Sequence, residues 1–201
     1  PTPKYSDDFV PGSIDSEDEE AADRGRALVL KHCRRLTIFS DDYSGWDSQP
    51  AQLHAQLIGQ NAATLQSCSL RSTRGEFAIP ALVNCSSLTE LAIGEMRDFG
   101  SAECDRQALA SCCARLKRLH MELDFNTDFT SFLRDIVAAF DRGASSSPAP
   151  LPLEDLRLGG SVHEEAVPLL RRFSNLTSLS FRLIPRYVEP WEQLAKCLAL
   201  M

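Results

Sequence analysis

Pro80-Ala81-Leu82-Val83-Asn84-Cys85-Ser86-Ser87-Leu88-Thr89-Glu90-Leu91 and Pro168-Leu169-Leu170-Arg171-Arg172-Phe173-Ser174-Asn175-Leu176-Thr177-Ser178-Leu179 lie 88 residues apart and agree at six of twelve positions. The shared positions are a proline, a serine, a threonine and three leucines. Their common core is L-x-x-L followed by x-apolar. The unit returns elsewhere as Leu65, Cys68 and Leu70, as Leu116, Leu119 and Met121, and as Leu153, Leu156 and Leu158, with a weaker copy at Cys33, Leu36 and Ile38. Self-similarity at a period of 20 to 50 residues marks a repeat architecture.

Apolar residues at alternate places of each unit predict a short strand with one buried face. Six strands are expected, near residues 36–39, 67–71, 90–94, 118–122, 155–159 and 178–182. Between them the period changes to that of a helix. Thr127 to Arg142 carries Phe129, Phe132, Leu133, Ile136, Val137 and Phe140 on one face, with Thr127 or Asp128 as its cap. Helices are also expected over Asp18–His32, Ser48–Gln60, Ala102–Ala114 and Glu189–Leu200. Pro80 and Pro168 shorten the helices of their own repeats. GASSSPAPLP, residues 143–152, reads as a flexible loop inside one repeat.

A second column lies three residues before each first leucine: Ala62, Cys85, Cys113, Pro150 and Phe173. Two of the seven cysteines fall in it, and Cys68 takes a strand position. Such cysteines are small buried hydrophobes. With an odd count and no C-x-x-C pair, reduced thiols in a cytoplasmic or nuclear setting are expected, and no zinc site. Asn84-Cys85-Ser86 and Asn175-Leu176-Thr177 match the glycosylation pattern, but both lie just before a strand among core residues, which a structural role explains better.

This alternation of strand and helix resembles the leucine-rich repeat family over residues 28–201. The C-x-x-L-x-x-L-x-apolar form at Cys85 and Cys113 is most similar to the cysteine-containing repeats of F-box proteins, the substrate receptors of cullin-type ubiquitin ligases. The resemblance implies an α/β solenoid of about six repeats, with a curved parallel sheet on its concave side and helices on its convex side. It implies a protein-interaction module, the recognition ladder of an F-box-like receptor; a sensor or scaffold ladder of innate-immune or ribonuclease-inhibitor type is the alternative. No F-box is visible in this chain, and the ladder is read as part of a longer one.

The net charge is −7, and the first twenty residues hold Asp7, Asp8, Asp15, Glu17, Asp18, Glu19 and Glu20 against Lys4 alone. Residues 1–20 are read as a disordered acidic lead-in to a repeat domain at 21–201. An acidic chain argues against non-specific nucleic-acid binding. Pro1 to Ser16 lacks the apolar core of a secretory leader, and no apolar run is long enough to span a bilayer.

Catalytic signatures such as G-x-S-x-G and the phosphate loop are absent from the sequence, and the histidines fall in four separate repeats. His163-Glu164-Glu165 reads as a polar helix start. No enzyme activity, cofactor or metal is expected. The candidate surface is the outward face of the strands, where Arg71, Arg118, His120, Asp155, Arg157 and Arg182 stand. Arginine suits carboxylate and phosphate, so the expected partner of a monomeric chain is an acidic or phosphorylated protein segment.

Overall fold

Two parallel strands in one sheet can be joined only by a crossover, and a crossover of constant hand that always steps the same way stays on one face of the sheet. The computed structural model has this arrangement. It describes residues 16–41, 48–71, 74–94, 96, 105–122, 128–143 and 150–184. The chain divides into two units, residues 1–33 and 34–201. Among the described residues the first unit holds helix α1 (Ser16–His32), with Lys31 and His32 in its last turn, where cations suit the helix dipole. The division at residue 33 and the start of α1 at Ser16 place the expected boundary at residue 20 inside a helix.

The second unit alternates β1 (Ile38–Asp41), α2 (Ser48–Gln60), β2 (Ser67–Leu70), α3 (Gly75–Val83), β3 (Glu90–Ile93), α4 (Arg106–Cys113), β4 (Arg118–Met121), α5 (Thr130–Gly143), β5 (Asp155–His163), a 3₁₀ helix (Glu164–Arg172) and β6 (Ser178–Ile184). The six strands form one parallel sheet in sequential order, not closed into a barrel. Each helix packs against the next, from α2 through α5 to the 3₁₀ helix. The expected helix at 189–200 and most of the loop at 143–152 lie outside the described residues.

The core fills the layer between sheet and helices. Cys68, Leu91, Leu119 and Leu156 are buried side by side in one column, and Leu70, Ile93, Met121 and Leu158 in the next. From above come Ile58, Leu82, Leu109, Phe132, Leu133, Ile136 and Leu170. Helix α5 starts where Asp128 accepts the Thr130 amide at 2.8 Å. Pro80 and Pro168 sit inside nine-residue segments, one α and one 3₁₀.

One backbone device repeats at the starts of β2 to β6, beginning with the amides of Gln66 and Ser67, which both donate to the Thr37 carbonyl. The amides of Thr89 and Glu90 both donate to the Gln66 carbonyl, those of Lys117 and Arg118 to Thr89, those of Glu154 and Asp155 to Lys117, and those of Thr177 and Ser178 to Glu154. The hydroxyls of Thr89 and Thr177 add a bond at 3.1 Å to the same carbonyls. That shared task accounts for the matching threonines. The Asn84 and Asn175 amides likewise donate, to the Pro80 and Leu151 carbonyls. The Cys85 thiol reaches the Ala81 carbonyl, and the Cys112 thiol reaches Leu82 in the preceding repeat. The five described cysteines carry free thiols; Cys104 and Cys197 lie outside the described residues. Burial pushes the Cys68 thiol up to about 12 and the Cys85 thiol to about 11, and also raises Cys112 and Cys113.

Two expectations change. The first strand is Ile38–Asp41, not 36–39, and pairs Phe39 with Cys68 and Asp41 with Leu70. The first unit is therefore Leu36-x-x-Phe39-x-Asp41, three residues later than the apolar template places it. Ile38, expected inside, is 68% exposed, while Phe39, expected outside, packs against the core. Asp41 occupies a place that is apolar in the other repeats, and His54 Nδ1 of α2 meets its carboxylate at 3.2 Å. The His54 ring also stands edge-on to Phe39.

The second change is at β5, which runs on to His163. A bulge between Arg157 and Ser161 lets β5 pair again, Ser161 with Arg182 and His163 with Ile184. Asp128 bridges to Ser161, and the His163 amide donates to Thr130 Oγ1 at 2.7 Å, so the lead-in of α5 holds this extension. His163 thus ends β5 and at the same time caps the 3₁₀ segment Glu164–Arg172, so the expected helix start at His163-Glu164-Glu165 is present, as 3₁₀.

Candidate functional site: the open face of the sheet

Helices cover one face of the sheet, and the other carries the odd-numbered or even-numbered outward residues in rows. Register sets these rows. Ser67, Glu90, Arg118, Asp155 and Ser178 form the first, and Ser69, Ala92, His120, Arg157 and Ser180 the second. Ile38 and Ser40 of β1 prolong them at the edge. Neighbours in a row stand about 4.8 Å apart, the spacing of strands.

Arg71 and Gly94 follow their strands in the next places. A side chain at Gly94 would collide with the Arg71 carbonyl, so close strand approach there requires glycine.

A depression of about 220 Å³ lies on this face. Ser67, Ser69 and Ala92, small residues, leave its floor low; Glu90, Arg118, His120, Asp155 and Arg157 form its charged part. Four of the six residues singled out from sequence are therefore brought together: Arg118, His120, Asp155 and Arg157. Arg71 is outside the lining. The backbone of Arg182 stands opposite Ser161, beyond the bulge, and its side chain lies outside the described residues. Arg118, Arg157 and Arg182 come from successive strands but do not share one row, because Arg118 and Arg157 belong to different rows and the bulge displaces the third.

The arginines are held. Arg118 Nη2 pairs with the Glu90 carboxylate on the neighbouring strand. Arg157 grips Asp155 of its own strand side-on, Nε to Oδ1 at 3.2 Å and Nη2 to Oδ2 at 3.2 Å. His120 Nε2 stands 3.3 Å from Glu122 Oε1. Of the two carboxylates that pair with the arginines, Asp155 is among the residues singled out from sequence and Glu90 is not. The signal was present, since Glu90 takes the place in its repeat that Arg118 takes in the next.

The layers differ in height. Arg118 and Arg157 side chains are 58% and 53% exposed, whereas Glu90 and Asp155 are 34% and 23% exposed. The guanidinium groups form the outer layer and the carboxylates the recessed one. An arginine has five N–H donors, and these pairings leave several of them facing solvent. The arrangement can receive an anionic side chain without reorganising.

Among the described residues no cluster of His, Cys, Asp or Glu could hold a metal ion. No described helix is long and apolar enough to cross a membrane. Comparison with protein-family models, curated proteins and solved structures gives no match to this chain.

Proposed function

We propose that this chain is a non-enzymatic protein-interaction module of leucine-rich-repeat type, a solenoid whose open sheet face docks an acidic segment of a protein partner. One observation carries the reading: within residues 34–201 a sequential parallel sheet has α2 to α5 and the 3₁₀ helix on one face, and among the described residues the other face is uncovered and bears a depression rimmed by outward arginines. Ladder proteins use such extended surfaces for binding. The cysteine-containing repeat pattern supports a place among F-box-like ubiquitin-ligase receptors in the cytoplasm or nucleus. Affinity purification of the protein expressed from its own gene, scored for ligase adaptor subunits, tests that assignment; their absence from eluates that contain other partners would count against it.

The surface itself is tested by charge reversal. Arg157→Glu should weaken the purified partner at least about tenfold, as loss of one charge-assisted contact plus a new repulsion does. Thermal stability should stay within about 0.5 kcal/mol, because the site is exposed. Affinity should fall with rising salt. Unchanged affinity in the reversed variant would place the contact off this face.

A further inference from the structure

We infer that the open face selects a carboxylate side chain, Asp or Glu, over a phosphorylated residue, and that Glu90 and Asp155 are the groups that impose this choice; the inference rests on the docking reading above. Arg118 and Arg157 are each paired with a recessed carboxylate, Glu90 and Asp155. The four charges sum to zero. A phosphoserine brings nearly two negative charges at neutral pH, a carboxylate one.

The first charge finds outward N–H groups on the protruding guanidinium layer. The second finds no further compensation, because each arginine already has its counter-charge beneath it. Phosphate sites ordinarily add backbone amides from a helix start or a turn. Among the described residues this face offers none around the depression: it is built from β2 to β5, whose amides run in the plane of the sheet and are committed to the ladder. A dianion also costs more to strip of water than a monoanion. His120 is partnered by Glu122 and does not tip the balance.

The test is a peptide array in which short peptides with varied flanks differ only at a central Asp, Glu, Ser or phosphoserine. The wild-type chain should be retained about fivefold more by Asp or Glu than by phosphoserine in the same flanks, the size of one close unit-charge interaction in a water-like dielectric. A Glu90→Gln, Asp155→Asn variant should lose this preference and turn toward phosphoserine. Phosphoserine peptides binding wild type as strongly as Asp peptides overturn the inference and leave the docking reading in place. Retention that does not depend on the central residue, or that survives Arg157→Glu, overturns the docking reading and the inference with it.

Discussion

Leu119→Ala should lower the unfolding free energy by about 2–5 kcal/mol, the range for truncating a fully buried leucine. Leu119 sits on a central strand, 1% exposed, with Leu91 and Leu156 as its register partners on either side. Repeats contact only their neighbours, so a hole in β4 weakens two inter-repeat interfaces at once. The cavity has little freedom to collapse, because the strands around it are pinned by bonds from Lys117 to Thr89 and from Glu154 to Lys117. Denaturant unfolding measures the loss. Ser69→Ala on the open face is the control and should move the midpoint little. A Leu119→Ala midpoint equal to wild type would contradict the packed column.

Alkaline pH should have an effect of similar size. Burial raises the thiols of Cys68 and Cys85 from 9.0 to about 12 and about 11. In the unfolded chain these thiols ionise near their ordinary value. The unfolded state then gains free energy by releasing protons that the folded state keeps. The contribution is whole below about pH 9 and is lost as pH rises toward the folded-state values. At about pH 10 each thiol costs about 1.4 kcal/mol, so the pair costs about 3 kcal/mol relative to neutral pH. Cys112 and Cys113 shift in the same direction and add to it. Urea midpoints across this window check the sign. Cys68→Ala combined with Cys85→Ala should flatten the dependence, whereas lysine and tyrosine titrations remain common to both proteins. Parallel curves for the two proteins would contradict the account.

Five of the six strands were legible because their inward places are apolar and their spacing is local. Leu91, Leu119, Leu156 and Leu179 align as the repeated unit says, with Cys68 serving as a small hydrophobe. The first repeat was misplaced because an apolar template cannot accept Asp41. Its place is made tolerable by His54, which comes from α2 and is remote in sequence. The length of β5 was hidden for a related reason. The repeated unit places the end of this strand near residue 159, but Asp128 and Thr130 from the start of α5 supply the pairing that carries the strand onward.

The candidate site was legible as a set of outward residues and not as a geometry. The order of rows depends on register, which the repeated unit supplies through β5, and on the bulge, which it does not. The height of the arginines above Glu90 and Asp155 depends on side-chain packing across strands, and no spacing rule encodes it.

The open face is the central claim, and site-directed photocross-linking tests it most directly. A photoreactive residue replaces Ser69, in the second row of the open face, or Ala138, exposed on helix α5. With the purified partner, cross-links are predicted from position 69 and not from position 138. Cross-links from position 138 with none from position 69 would show that the partner docks on the helices, and the open-face account would be wrong.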